Sequence, residues 1–257
     1  MRVPTILAAA CLMLVSCQQE EGCTDAAATN YATNAVEDDG SCIYPVSFGG
    51  YTYDVVAIGD QVWFAENLRT TVYANGDSIA VYVSDSIWST TTMGAVTIYG
   101  EGDSDCHHFA PNGDACDSDW SLSEYGRLYN WYAVDDARGL CPSGWHVPTD
   151  GEWTELEDYI SSQGFSGTEH AALKSIYGWV NTGSSGNGTD DFGFSAPPGG
   201  ARHYSDFFYN AGSYGFWWSS SPNGGNAWAR NLNSNYPVIH QHFYNLQFGF
   251  SVRCIKD

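Results

Sequence analysis

The chain has 257 residues, of which 30 are acidic and 9 are Lys or Arg, so its formal net charge is −21. A surface this acidic repels the phosphate backbones of nucleic acids, which argues against nucleic acid as a partner. The 10 Trp, 17 Tyr, 12 Phe and 28 Gly predict a loop-rich extracellular fold with aromatic packing. The length fits one large domain and a small additional unit.

The first residues have the features of an export signal. A positive start, Met1-Arg2, precedes an apolar run over residues 3–15 that is too short to span a membrane. The ending Leu14-Val15-Ser16-Cys17 resembles a bacterial lipobox, which implies a signal peptide over residues 1–16 and an acylated Cys17. An ordinary secretory signal is the alternative.

A polar, acidic tether over residues 18–21 follows Cys17. It resembles the export signal that sends some Gram-negative lipoproteins to the outer face of the outer membrane. We therefore expect an outer-membrane lipoprotein that faces the cell exterior.

Eight cysteines are present, of which Cys11 leaves with the signal and Cys17 is the lipid site. The even number that remains in an exported protein favours disulfides over metal ligation, although about fifteen connectivities are open. Local spacing favours three pairs. These are Cys23–Cys42, Cys106–Cys116 and Cys141–Cys254.

Residues 17–47 comprise the tether and a small unit bounded by Cys23 and Cys42, which is too short to bury a core without a disulfide. The unit resembles a Cys-bounded repeat of marine bacterial surface proteins. Asp38 and Asp39 are candidate calcium ligands, although their spacing does not match an EF-hand. A solvated acidic turn is the alternative.

The main domain is expected over residues 48–257. Two β-rich runs, residues 51–58 and 61–65, are separated by Gly59-Asp60, which predicts a hairpin. The acidic residues 74–124 are less regular, and we expect them to form a long surface insertion.

One helix begins with a capping box, in which Thr149 and Glu152 bond each other's backbone. Trp153, Leu156, Tyr159 and Ile160 recur at helical spacing after it. A shorter helix is predicted over residues 169–176, and glycine-rich short strands are predicted after Gly178. Few helices and many short strands indicate an α+β fold.

Three ordered stretches carry a family resemblance. They are IGDQVWFAENLRTT (58–71), GRLYNWYA with LCPSGWHVPT (126–149), and the motifs GFSA, GGAR, GFWWSSS and GFSVRC (193–254). Together they resemble the Fibrobacter succinogenes major paralogous domain. The resemblance implies a disulfide-stabilised C-type-lectin-like fold, related to the sulfatase-modifying, formylglycine-generating domains, and brings no established activity. It also implies a central strand at Trp217-Trp218, whose side chains we expect in the core.

Catalysis has little support, because the chain has no nucleophile elbow, zinc-protease motif or phosphate loop. The formylglycine-generating enzymes use reactive cysteines near the C-terminal end, where this chain has only Cys254. The predicted bond to Cys141 would consume that thiol. A binding module is therefore favoured over two alternatives, an enzyme of the sulfatase-modifying type and a structural envelope protein.

The segment over residues 226–245 is rich in Asn, Tyr, Ser and His, which make adaptable contacts at low entropic cost. In C-type-lectin-like folds this region displays the ligand face. It also resembles the variable region of retroelement-diversified proteins, and a fixed Asn-rich loop is the alternative. The candidate ligand-binding residues for a surface glycan or protein are Trp228, Arg230, Asn231, Asn233, Asn235, Tyr236, His240, His242, Tyr244 and Asn245.

Two histidine pairs have metal-capable spacing. His240 and His242 would lie on the same face of a strand, and His107-His108 follow Cys106. No further carboxylate or cysteine completes the first set, so a polar ligand face is the favoured interpretation. The sequence leaves one cofactor hypothesis open, namely that calcium binds and orders the acidic loops.

Overall fold

A computed structural model describes residues 20–81, 85–104, 106, 109–181, 183, 186–205 and 207–257. The predicted signal peptide, the lipidation site Cys17 and the pair His107-His108 lie outside these residues. No helix in the described part of the chain is long and apolar enough to cross a membrane.

The secondary structure consists of many short strands and a few helices. The strands are β1 (Glu21–Gly22), β2 (Glu37–Asp38), β3 (Val46–Phe48), β4 (Tyr51–Tyr53), β5 (Val55–Ile58), β6 (Gln61–Phe64), β7 (Ala80–Val81), β8 (Ala95–Thr97), β9 (Phe109–Ala110), β10 (Gly113–Asp114), β11 (Leu128–Tyr129), β12 (Trp145–His146), β13 (Gly199–Arg202), β14 (Phe208–Ala211), β15 (Tyr214–Asn223), β16 (Asn226–Asn233), β17 (His240–Asn245) and β18 (Ile255–Lys256). The helices are α1 (Asp85–Trp88), α2 (Ser118–Tyr125), α3 (Trp131–Val134), α4 (Asp150–Ile160) and α5 (Glu169–Leu173), and a π-helical turn (Ser161–Phe165) follows α4. This content confirms the predicted α+β class.

Two sheets organise the domain. The larger has the strand order β14-β13-β15-β16-β17 and is antiparallel except between β13 and β15. The other has the order β12-β18-β6-β5 and joins the C-terminal strand to the first hairpin of the domain. In the larger sheet β17 is an edge strand, so its side chains border solvent on one side.

The hairpin predicted at Gly59-Asp60 is confirmed. Strands β5 and β6 pair antiparallel with Ile58 opposite Gln61, which leaves those two residues as the loop. Gly59 has a φ of 63°, as the first loop position of a type II′ turn requires. A second hairpin pairs Val46 with Tyr53, so regular structure begins slightly before residue 48.

The capping box that predicted α4 is present. The Thr149 hydroxyl accepts from the Glu152 amide at 3.2 Å, and the Thr149 amide donates to the Glu152 carboxylate at 2.7 Å. Of the four residues predicted to form the apolar face, Trp153, Leu156 and Ile160 are buried and Tyr159 is half-buried.

The second of the two predicted helices corresponds to α5, which ends at Leu173 rather than at residue 176. Lys174 has extended dihedrals and leaves the helix to form a parallel bridge with Ala196. Its ammonium group donates to backbone carbonyls of other segments. The predicted helix is therefore present but shorter than expected.

The prediction that residues 74–124 form a surface insertion is wrong. Every residue of β8 is buried, and two of its three residues pair with β11 of the core. Trp88 is also fully buried, and its indole N–H donates to the Gln247 carbonyl at 2.8 Å. The acidic side chains that suggested an insertion cluster around the Cys106–Cys116 loop, whereas the adjoining run Ala95–Tyr99 is apolar and packs inside.

The family-like stretches meet in the core through indole hydrogen bonds. Trp217 donates to Asn67 Oδ1 at 2.8 Å, and Trp218 donates to the Tyr129 carbonyl at 2.8 Å. Because neighbouring side chains alternate across a strand, Trp217 packs toward α4 and Trp218 toward the opposite core cluster. Both tryptophans are almost completely buried, which confirms their core role.

All three predicted disulfides are present, namely Cys23–Cys42, Cys106–Cys116 and Cys141–Cys254. The last joins the segment before α4 to the C-terminal strand region across 113 positions. It therefore ties the middle of the main domain to its C-terminal end.

Candidate ligand-binding groove

The segment over residues 226–245 forms β16, a tight turn and the edge strand β17. In the register, His240 lies opposite Asn231 and His242 opposite Ala229. Side chains of opposed residues project on the same face, so the polar residues of this segment divide between the two faces of the sheet.

One face opens into a groove of about 400 Å³. Its lining combines phenol, imidazole and amide groups and contains no carboxylate. The lining residues are Tyr214, Asn231, Asn233, Tyr236, His240, Gln241, His242 and Tyr244. Six of the ten candidate ligand residues therefore meet in one cavity, and Tyr236 at its rim is 59% exposed.

The turn that positions Tyr236 is held by Asn233. The Asn233 side-chain oxygen accepts from the amides of Asn235 and Tyr236 at 2.9 and 2.8 Å. The Asn233 carbonyl accepts from the buried Lys174 ammonium at 2.9 Å, and burial lowers the pKa of Lys174 to about 8. Asn233 thus shapes the groove through its backbone neighbours as well as lining it.

Tyr244 forms the packed wall of the groove. Its ring meets Phe250 at a centroid distance of 4.9 Å, and its hydroxyl accepts from Asn231 Nδ2 at 3.3 Å. Burial raises the pKa of Tyr244, so its phenol stays neutral through the physiological range. The wall is therefore ordered before any ligand arrives.

Arg230 and Trp228 lie on the other face of the sheet, away from the groove. The Arg230 guanidinium is buried against α4, where it donates to Glu157 at 2.6 Å and pairs with Asp150. Trp228 packs edge-on against Phe243 at 5.6 Å. Trp and Arg are residue types that often make binding contacts, so both residues were candidates. In the structure, Arg230 instead connects the sheet to α4.

Asn235 and Asn245, the remaining two candidates, are exposed beside the groove rather than in its lining. Conversely, Tyr214 and Gln241 border the groove and were not among the candidates. The Gln241 side chain lies on the α4 face, where it donates to Asp150 Oδ2 at 2.8 Å. Tyr214 belongs to the alternating set Tyr214, Phe216 and Trp218, so the two-residue period of the strand could have placed it on this face.

A second sequence signal lies in the distribution of charge. Residues 207–256 contain no Asp or Glu, although the whole chain contains 30. The groove and its flanking strands therefore carry no carboxylate within a strongly acidic protein.

The acidic turn of the small unit has internal partners. Asp38 accepts from the Gly40 amide at 3.1 Å, and Asp39 from the Ser41 amide at 2.9 Å. Hydrogen bonds from the Ser41 side chain and backbone lower the pKa of Asp39. Among the described residues, no three His, Cys, Asp or Glu side chains are grouped as a metal site would require.

A sequence profile of the Fibrobacter succinogenes major domain matches residues 56–256. The chain belongs to this family. No curated protein and no solved structure gives a significant match. The Fibrobacter succinogenes major domain of this chain thus includes the groove and the Cys141–Cys254 disulfide, whereas the Cys23–Cys42 unit precedes the match.

Proposed function

We propose that this chain is a non-catalytic outer-membrane lipoprotein whose C-type-lectin-like family domain binds a glycan or protein ligand at the cell surface. The binding site is the groove between β16, β17 and the turn at Asn233. One observation carries the proposal, namely the convergence of phenol, imidazole and amide groups on a single cavity above an aromatic core.

The rigidity of the surroundings supports a binding role. The Asn233 turn is held by Lys174, and β16 is held to α4 by Arg230. Fixed aromatic and amide groups lose little entropy on binding, which favours affinity at a small site.

The pairing of Cys254 with Cys141 argues against the sulfatase-modifying alternative. Both sulfurs belong to buried residues and are joined, so no thiol is free at the position where such chemistry would need one. We expect a thiol-reactive probe to leave both cysteines unlabelled in the native, non-reduced protein.

The experiment for the binding site uses cells that display the full chain. Tyr236→Ala/His240→Ala removes two side chains of the groove, and Tyr177→Ala is the matched control, since Tyr177 is 54% exposed and lines a different cavity. Binding is scored on glycan arrays and against surface proteins of neighbouring cells. Loss of an interaction in the groove variant alone supports the proposal. Unchanged interactions in all variants support a purely structural envelope protein.

The membrane anchor is tested separately. We expect Cys17→Ser to abolish incorporation of labelled palmitate and to release the chain from the outer membrane. An unlabelled wild-type chain that is secreted freely would favour the ordinary secretory signal.

Calcium is proposed only for the turn at Asp38 and Asp39. If it binds there, Asp38→Asn/Asp39→Asn removes any rise in thermal midpoint that calcium gives over chelator. A rise that survives in this variant assigns the ion to another site, and no rise in the wild type rejects the proposal.

A further inference from the structure

Aromatic rings continue from the groove across the same face of the sheet. Tyr244 on β17 meets Phe216 on β15 at 6.0 Å, and Phe216 meets Tyr209 on β14 at 5.9 Å. Tyr214 stacks on Phe216 at 5.7 Å and lines the groove. The ring contacts thus connect the edge strand with the opposite edge of the sheet.

At the far edge, the row reaches solvent at the tip of the β13–β14 hairpin. His203 stacks on Phe207 at 4.5 Å and contacts Tyr204 at 4.2 Å, and Phe207 also meets Tyr209 at 5.8 Å. Tyr204 is 41% and Phe207 is 49% exposed, although they belong to this packed ring cluster. Phe248 connects the tip back to the groove wall, at 5.3 Å from Tyr204 and 5.4 Å from Tyr244.

The charge of this surface limits what could lie on it. The groove strands and β14 fall within residues 207–256, which contain no acidic side chain, and Arg230 is turned to the other face. Asp206, next to the hairpin tip in sequence, is the nearest acidic residue before this range. A cationic partner would bind the carboxylates of this protein, and these lie outside the groove strands. An anionic polymer would be repelled by the net charge of −21.

We propose that the groove is one end of an extended track that binds an uncharged oligosaccharide chain, with Tyr204 and Phe207 as its outer subsite. This inference rests on the proposed function and specifies its ligand class. A sugar ring presents C–H groups on its faces, which pack on aromatic rings, and hydroxyls on its edge, which bond amides and imidazoles. Tyr236, Asn231 and His242 offer those groups at the groove, and the exposed rings of the hairpin tip offer a second platform.

The test titrates the full-length protein with neutral gluco-, manno- and xylo-oligosaccharides of two to six rings, chosen by a first screen on soluble polysaccharides. We expect one series to gain affinity with length, by about tenfold between its shortest and longest members. Raising NaCl from about 0.05 to 0.5 M should change the affinity less than about twofold, since no ion pair forms.

Variants separate the two ends of the track. Tyr204→Ala/Phe207→Ala should abolish the gain with length and leave the affinity for the shortest member unchanged. Tyr236→Ala/His242→Ala should weaken every member by about tenfold or more. Tyr177→Ala, which alters a different cavity, should change neither.

Four results overturn the inference. Affinity that is independent of length, or insensitive to Tyr204→Ala/Phe207→Ala, rules out the outer subsite. Preference for acidic glycans with strong salt dependence rules out the neutral ligand. Binding of a protein but of no neutral oligosaccharide, lost in Tyr236→Ala/His240→Ala, rejects this inference and leaves the proposed function standing. Absence of any groove-dependent ligand rejects both.

Discussion

At the residue scale, the Arg230 guanidinium is a buried charge whose partners all lie on α4. Glu157 and Asp150 neutralise it, and the Thr154 hydroxyl accepts a further hydrogen bond at 3.0 Å. Burial raises the pKa of Glu157 even beside this cation. Removing the guanidinium therefore leaves two partly buried carboxylates without their cation, although Asp150 keeps a side-chain hydrogen bond from Gln241.

We predict that Arg230→Met lowers the free energy of unfolding by about 2–4 kcal/mol, somewhat below the cost of breaking a fully buried pair because the carboxylates are partly exposed. Urea unfolding measures the change. Glu155→Gln, on the exposed side of the same helix, should stay within about 0.5 kcal/mol of wild type. A loss below about 1 kcal/mol for Arg230→Met would show that the ion pairs contribute little.

His146 forms a pH-dependent contact between β12, α4 and the C-terminal residue. Its two ring nitrogens lie 2.9 Å from Glu152 and 2.8 Å from Asp257. Burial lowers the pKa of His146, but the hydrogen bonds to Asp257 and Glu152 outweigh it and raise the pKa above 6.5. Burial likewise opposes the hydrogen bonds of Thr149 and His146, yet the pKa of Glu152 is lowered below 4.5.

The directions of the two pKa shifts define the pH range in which this contact adds most stability. The raised pKa of His146 adds stability that is complete below pH 6.5 and is lost as pH rises through the folded value. The lowered pKa of Glu152 adds stability that is lost as pH falls below 4.5. We predict that the difference in thermal midpoint between wild type and His146→Gln is largest between these limits and shrinks above about pH 8. A difference that does not vary with pH would contradict the assignment.

At the element scale, the β5–β6 hairpin is fitted closely against α4. A Cβ at Gly59 would lie 2.8 Å from Tyr159 Cδ2, and the φ of 63° already disfavours a side chain. Gly144 has a φ of 83°, but a Cβ at that position would meet no atom within 4 Å, so Gly144 isolates the backbone effect.

We predict that Gly144→Ala costs about 1 kcal/mol and Gly59→Ala about 2–3 kcal/mol, since only Gly59→Ala adds a steric clash to the backbone strain. Chemical denaturation of both variants gives the comparison. Equal losses would mean that Tyr159 moves aside at no cost.

The elements that local chemistry determines were predictable. Thr149 and Glu152 mark the start of α4 because the capping bonds involve residues three apart, and Gly59-Asp60 marks a hairpin for a similarly local reason. β8 was not predictable, because its short apolar run is followed by an acidic stretch and its burial depends on pairing with β11. The groove lies between these cases. Its residue types indicated binding, and the alternation of side chains along β16 separates Asn231 from Arg230, but which face forms the groove depends on how the sheet packs against α4.

At the scale of the whole molecule, the disulfides differ in how much of the chain they close. Cys141–Cys254 spans 113 positions and Cys106–Cys116 spans 10. In the chain-entropy model, Cys141→Ala/Cys254→Ala should cost about 4–5 kcal/mol and Cys106→Ala/Cys116→Ala about 2–3 kcal/mol. Unfolding in urea without reductant tests the order. The reverse order would indicate that native contacts, rather than loop closure, dominate.

Whether the groove is fixed or diversified is a property of the gene in a population, and the fold restricts where variation is tolerated. Asn235, Tyr236 and His242 are exposed, so substitutions there leave the sheet intact. Arg230 and Asn233 belong to the same segment, but Arg230 holds β16 to α4 and Asn233 holds the turn.

If a retroelement diversifies this segment, we predict that sequencing codons 217–254 finds substitutions concentrated at the exposed positions and excluded from Arg230 and Asn233. Substitutions spread evenly over buried and exposed codons would contradict a selected binding surface. An invariant segment would instead identify a fixed site, because one constant ligand requires one constant arrangement of the same side chains.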